Sequence, residues 1–431
     1  MRALVCLPLL FAACSDAPKP AGPPPAPRDA RLDPALQALA SDDLRTRLEA
    51  CLELGAIGGD EARDTLVGIL RAPSPEPQRD GPMRLYAAVG LTRLKDPATA
   101  MTLVESLSRV NPNDNIAALS SEEVEGEYYT VDAQLCEALL MLGIWGAEEE
   151  LCNQLKRKDK IRVFVDAHAI LRRHTGLDIP YEYNASYADR ERQAEAWRAQ
   201  LRATRAEREK ARPFDGSSEI FKEECRRVVA WLGGWRVNDR LIAYKALVII
   251  GRYAVPFLEE GLASDNRVMR RQAVHMLGRI GHPDGTPALR KALDLEDADA
   301  RAEAVDGLWK VNDADSVPRV VQLLGDADAE VRAASARYLG RQGGDAGKAA
   351  LRARLESESR PAVKAWIWMA LLRLGEKDAL DPVLRAFVES EQVERIAAKE
   401  VVELSQGRPL DATGLDEKAE RERAVAAYRA R

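Results

Sequence analysis

The chain has 431 residues, of which 46% are hydrophobic, 31% charged and only 5% aromatic, with a net charge of −6 and a pI of about 5.6. The acidic balance argues against a large nucleic-acid footprint, and an Ala-, Leu- and Arg-rich composition suits short packed helices better than a β-sandwich. This length would ordinarily hold two or three domains, unless the chain is built of repeats, whose lengths simply add.

After Arg2 an apolar run extends from Ala3 to Ala13, broken only by Pro8. It is shorter than the roughly 20 residues a membrane-spanning helix needs, and residues 1–13 read as a signal peptide. The run ends in Leu10-Phe11-Ala12-Ala13-Cys14-Ser15, which resembles the lipobox of bacterial lipoproteins, with Phe11 where Leu is usual. The resemblance implies a diacylated Cys14 as the mature N-terminus. With Ser15 rather than Asp behind it, it also implies the outer membrane, facing the periplasm. The alternative is an ordinary secretory signal with an incidental cysteine. Residues 14–30 form a tether, because six prolines fall between Ala17 and Arg28 and such stretches are extended spacers that bury no core.

A helical unit starts near residue 31 and recurs to 176. Arg47 is followed by Ala50, Leu54, Ile57 and Gly58; Arg84 by Ala87, Leu91 and Leu94; Asp132 by Leu135, Leu139, Leu142 and Gly143. A fourth unit around Phe164 has Ala167 and Leu171. Offsets of three, seven and ten share one helical face, and a following Gly supplies a left-handed stop. Two insertions interrupt this half, Pro73 to Pro82 and Arg109 to Thr130; the second sets Glu122, Glu123, Glu125 and Glu127 beside Tyr128 and Tyr129. Cys51 and Cys136 border the buried stripe and read as core residues. With Cys152 and Cys225 they match no zinc spacing, and a Cys136–Cys152 disulfide is open in an oxidising compartment.

Residues 177–215 form a loop and a charged helix. Within it, residues 188–199 (ADRERQAEAWRA) match residues 419–430 (AERERAVAAYRA) at seven of twelve positions, at an offset of 231 that also aligns Gly176 with Gly407. Two arrays are therefore expected, 31–176 and 216–407, each closed by a charged helix bearing one aromatic, Trp197 or Tyr428. The closing segment of the second array is 408–431.

The second array is the more regular. Arg240, Arg270, Arg301, Arg332, Lys364 and Arg395 stand 30, 31, 31, 32 and 31 residues apart. A Gly or Asn follows eleven positions on, at Gly251, Gly281, Asn312, Gly343 and Gly375, with Gly407 one later. A second apolar segment precedes each turn, such as Val317 to Leu324 before Gly325-Asp326-Ala327-Asp328. Pro256, Pro287, Pro318 and Pro382 mark the starts of these first helices. A fixed period in this range signals stacked supersecondary units. The unit resembles the HEAT repeat, in its short bacterial variety related to the phycobilisome-lyase type, with its best match at Asp326 to Gly340. That resemblance implies an all-α solenoid, an α-α superhelix of about ten helix pairs in two arrays. It also implies an inter-repeat ladder pairing Asp265 with Arg270, Asp297 with Arg301 and Asp328 with Arg332, weakened at Ser359 and Lys364.

Chemistry is scarce. His168 and His174 are six apart, which does not place two ligands on one helical face, so no metal or cofactor is expected. No phosphate-cradling, nucleophile-elbow or CxxC motif occurs, and no catalytic residue is assigned. In HEAT arrays the second helices line the concave face, which singles out positions two, five and nine after each ladder residue. Position nine holds Arg279, Lys310, Arg341 and Arg373: either compensation of helix dipoles or a basic strip for an acidic partner. Positions two and five supply His275, Trp366 and Met369. Trp366 reads either as an exposed interface anchor beside Met369 and Arg373 or as buried under a neighbouring first helix. The expected function is a membrane-anchored scaffold binding a protein partner, with no nucleic acid; the alternative is a lyase-like enzyme or regulatory subunit, implied only by the repeat resemblance.

Overall fold

The computed structural model describes residues 29–72, 77–109, 130–156, 161–410 and 417–430; Cys14, the tether and the acidic insertion at 110–129 lie outside them. The described residues form 22 α-helices, joined by loops and 3₁₀ turns, and no strands. The first four hairpins pair α1 (Leu32–Ala38) with α2 (Leu44–Ile57), α3 (Asp60–Arg71) with α4 (Pro77–Leu94), α5 (Ala100–Arg109) with α6 (Val131–Leu142), and α7 (Ala147–Leu155) with α8 (Ile161–Thr175). The long α9 (Tyr187–Ala211) follows. Six more hairpins then pair α10 (Glu219–Trp231) with α11 (Val237–Ile250), α12 (Val255–Leu262) with α13 (Arg267–Ile280), and α14 (Thr286–Ala292) with α15 (Ala298–Lys310). They continue with α16 (Val317–Leu323) and α17 (Ala329–Gln342), α18 (Gly344–Ser357) and α19 (Pro361–Arg373), and α20 (Leu380–Glu389) and α21 (Gln392–Gln406), before α22 (Lys418–Ala430).

Local rules set the hairpin ends. Asp43, Asn266, Asp297 and Asp328 cap α2, α13, α15 and α17, each accepting a backbone N–H of the first turn, which satisfies groups the helix itself leaves orphaned. Left-handed residues stop the second helices at Gly58, Gly143, Gly251, Gly281, Asn312, Gly375 and Gly407. At one stop the expectation moves by a residue: Gly343 has φ −72° and Gly344 takes the positive φ of 51°.

Successive second helices of the later hairpins, α13, α15, α17, α19 and α21, pack directly on one another, whereas their first helices touch much less. In a stack of hairpins the layer of closer approach is the inner one, so the second helices form the inner face. Small residues allow the approach: a Cβ on Gly278 would sit 2.9 Å from the Gly307 Cα, and one on Gly340 2.8 Å from the Ala370 Cα. In the first array, a Cβ on Gly55 would meet the Gly90 carbonyl oxygen at 2.4 Å.

The stack is not one uninterrupted ribbon. Hairpin α10/α11 docks on α5, and α11 also reaches α7. Arg227 of α10 pairs with Glu105 of α5 at 2.6 Å, Arg71 of α3 pairs with Glu224 of α10 at 2.6 Å, and a Cβ on Gly146 would lie 1.9 Å from the Ile249 carbonyl oxygen. Helix α9 packs on α7 and α22 packs on α20, each the first helix of the last hairpin before it. Trp197 and Tyr428 are buried in these equivalent places. Arg198 reaches Glu149 of α7, and its counterpart Arg429 reaches Asp381 of α20.

Candidate functional site on the inner face

The ladder residues do structural work, by a different pairing from the one expected. Arg47, Arg240, Arg270, Arg301 and Arg332 each donate through Nη1 to the carbonyl six residues earlier, and Arg395 to the one five earlier, tying the second helix to the turn before it. Asp297 and Asp328 are helix caps and do not pair with the arginines that follow them. The acid comes from the next repeat: Arg301 forks onto Asp326 at 2.8 and 2.9 Å, and Arg332 onto Glu358 at 2.8 and 3.0 Å. The cap is more valuable to its own helix than a second ion pair, and the next turn lies within reach of a long guanidinium. The Arg332 hydrogen bond, set against desolvation, holds the Glu358 carboxyl well below its usual range. Lys364 leaves the ladder, since its side chain is exposed.

The inner-face candidates lie on adjacent helices. Arg279, Lys310, Arg341 and Arg373 occupy the last turns of α13, α15, α17 and α19, and all four are exposed. His275 is half-buried, with Nδ1 2.9 Å from Glu303. Burial pushes the Glu303 carboxyl upward, but its hydrogen bond with His275 and the nearby charges of His275, Lys310 and Arg271 hold it below the ordinary value. Trp366 is half-buried, between the exposed anchor and the buried position left open above, and Trp368 beside it is half-buried too. Met369, expected at the surface, is 1% exposed: it belongs to the core.

Trp366, Met369 and Arg373 nevertheless come together. With Trp309, Arg337 and Glu400 they line a cleft of about 180 Å³ between α15, α17, α19 and α21. The Arg337 guanidinium lies 4.9 Å from the Trp366 ring centre and that of Arg341 5.1 Å from Trp309; such stacking is attractive to a cation. Arg337 also forks onto Asp306 at 2.9 to 3.1 Å, while Arg373 and Glu400 form a looser pair at 3.5 Å. The Trp309 indole N–H is buried with no hydrogen-bond partner among the described residues. Sequence reasoning passed over Trp309, which stands at slot eight after Arg301, outside the two, five and nine slots; Arg337 and Glu400 occupy slot five. His275, Arg279, Lys310 and Arg341 do not line the cleft; Arg341 adjoins it through the Trp309 ring.

A wider hollow of about 600 Å³ lies between residues 177–180 and α9, with Asp178 and Gln200 as its only charged or amide side chains. It offers no convergent chemistry. Among the described residues no group of three or more His, Cys, Asp or Glu is placed to hold a metal ion. The four cysteines Cys51, Cys136, Cys152 and Cys225 are free and buried, so Cys136 and Cys152 do not form the disulfide left open above. Burial pushes the thiols of Cys51 and Cys152 up to about 12.

Stacked antiparallel helix hairpins, with a tightly packed inner layer and a repeated arginine-to-turn bond, define an α-solenoid. The family model for HEAT repeats matches residues 228–308, 286–367 and 317–403, within the hairpins from α10 to α21. No curated protein matches the chain in sequence. Among solved structures it is similar to the complex of CpcE and CpcF of phycocyanin lyase from Nostoc sp. PCC7120, at 16% identity and a TM-score of 0.35 over 47% of this chain and 87% of that one. It is also similar to the Pds5–Scc1 complex, at 13% identity and 0.31 over 90% and 72%, and to human deoxyhypusine hydroxylase, at 19% and 0.25 over 73% and 96%. At such TM-scores these likenesses bear no weight for function.

Proposed function

We propose that this protein is an interaction scaffold that binds a protein partner, acidic where it makes contact, along the inner face of α13 to α21. The observation that carries this reading is the row of exposed cations Arg279, Lys310, Arg341 and Arg373 on one turn of four adjacent helices, with an aromatic cleft beside its far end. Extended inner surfaces of this kind are how stacked repeats contact partners, and a one-signed strip favours encounter with the opposite charge. A photo-crosslinking residue placed at Lys310 or Arg341 is expected to capture the same protein, whereas one at Lys291 or Glu356 on the first helices should not. Equal capture from the first helices would refute the reading.

The address is proposed from the sequence: a bacterial envelope protein held by lipid on Cys14, in the outer membrane and facing the periplasm, with residues 14–30 as the spacer. A thioether-linked diacylglycerol plus an N-acyl chain supplies stable anchoring. Cys14→Ala should therefore move the protein into the soluble fraction. An unmodified Cys14 in mass spectra of the mature N-terminus would overturn the assignment.

A further inference from the structure

Resting on the scaffold reading, we propose that the cleft between α15, α17, α19 and α21 is an anchor pocket for one aromatic side chain of an acidic peptide segment. Its size argues first. Pockets that enclose small-molecule ligands run to about 300–1,000 Å³, and this cleft has about 180 Å³, enough for one bulky side chain and too little for a cofactor. Its surface argues next. Trp309, Trp366 and the buried Met369 supply the apolar lining, and aromatic pairs prefer offset or edge-to-face contact that indole faces offer readily.

The polar groups fix the partner's charge. The Arg337 and Arg341 guanidinium groups sit over the Trp366 and Trp309 rings, which leaves their N–H edges to meet carboxylates. Arg337 is already held by Asp306, so Arg341, exposed beside the cleft on the Trp309 ring rather than in its lining, meets carboxylates that flank the anchor residue. Among the described residues Arg373 pairs with Glu400, 61% exposed and 3.5 Å away, and so open a pair is worth little; a peptide carboxylate can displace it.

The test uses the purified chain and three fluorescein-labelled peptides, acetylated and amidated, read by polarisation. The first has a central phenylalanine between runs of glutamate, the second has alanine at the centre, and the third has lysine for every glutamate. Saturable binding of the first is expected, with the alanine peptide about tenfold weaker or more and the lysine peptide not bound. Arg341→Glu, an exposed change that spares folding, should weaken the first peptide about fivefold and flatten its salt dependence. Trp366→Ala should abolish the preference for phenylalanine, with circular dichroism confirming an unchanged helix content. Equal binding of the phenylalanine and alanine peptides overturns the anchor, and equal binding of the lysine peptide overturns the charge assignment. Absence of saturation by about 1 mM overturns both. Inner-face crosslinks that survive any of these failures would leave the scaffold reading standing without the pocket.

Discussion

Replacing Arg332 with alanine should cost about 3 kcal/mol of the stability with which the last two hairpins hold to the rest of the array. The side chain is 8% exposed and its partner Glu358 0% exposed. Arg332 donates to both Glu358 carboxylate oxygens and to the carbonyls of Asp326 and Ala327, each at 3.0 Å. Breaking a buried pair from one side costs about 3–5 kcal/mol. The lower end applies because Glu358 keeps Arg354 at 2.7 Å and the backbone N–H groups of Ser359 and Arg360. Arg301→Ala should cost less, about 1–3 kcal/mol, since Arg301 is 16% exposed and bonded alike. Lys364→Ala should lie within about 0.5 kcal/mol of the parent. Repeat arrays need not unfold in one step, so amide hydrogen exchange resolved by peptide is the appropriate assay. Protection should fall from α17 through α21 in the Arg332 variant. Equal effects at Arg332 and Lys364 would refute the ladder as drawn.

The other predictions use the same geometry. Glu358 has a folded pKa below its ordinary value of 4.5; its contribution is therefore present above that pH and lost as pH falls below it, and Glu358→Gln should flatten the acid limb of a urea-midpoint profile. Gly340→Ala, whose Cβ meets the Ala370 backbone at 2.8 Å, should destabilise by about 1–3 kcal/mol. Gly68→Ala, inside α3 with nothing within 4 Å, should instead stabilise by about 0.5–1 kcal/mol; both are read from denaturant midpoints. The buried thiols should resist iodoacetamide at pH 8 in the native state, because burial holds Cys51 and Cys152 near 12, and all four should react in urea. Rapid native labelling would show that those helices open more easily than their packing implies.

Much of the architecture was legible because it is local. A cation, three apolar offsets and a Gly describe one helix and its stop, and that grammar needs no distant partner. The ladder partners were not legible in the same way. Asp328 looked like the mate of Arg332, yet caps its own helix, while Glu358 waits one repeat further on, six before Lys364 as Asp326 is six before Arg332; the same slot holds Ser264 and Leu295 in the earlier repeats, so the acid does not stand out as a repeat position. Met369 was misplaced because slot five faces the groove only where the neighbouring helix leaves room; at α19 the cleft dips, and the side chain forms its floor. Trp309 was missed for the complementary reason, since slot eight lies toward the following helix, where its ring lies under Arg341 and lines the cleft. The docking of α10/α11 on α5 and α7 joins elements far apart in the chain, and Gly146, whose Cα hydrogens lie against Ile249, resembled any other turn glycine.

The close contacts between second helices also govern how such a chain can lengthen. Gly278 stands at slot eight of α13 and meets Gly307 at slot six of α15; Gly340 at slot eight of α17 meets Ala370 at slot six of α19. In α15 slot eight is Trp309, and in α17 slot six is Tyr338. Neighbouring repeats therefore differ in kind, and every other boundary is the narrow one. Deleting α14 and α15 would set Gly278 opposite Tyr338 and lose the backbone approach, whereas deleting α14 to α17 would set Gly278 opposite Ala370 and preserve it. The packing module in this part of the chain is therefore a pair of repeats, spanning 62 residues from Arg270 to Arg332.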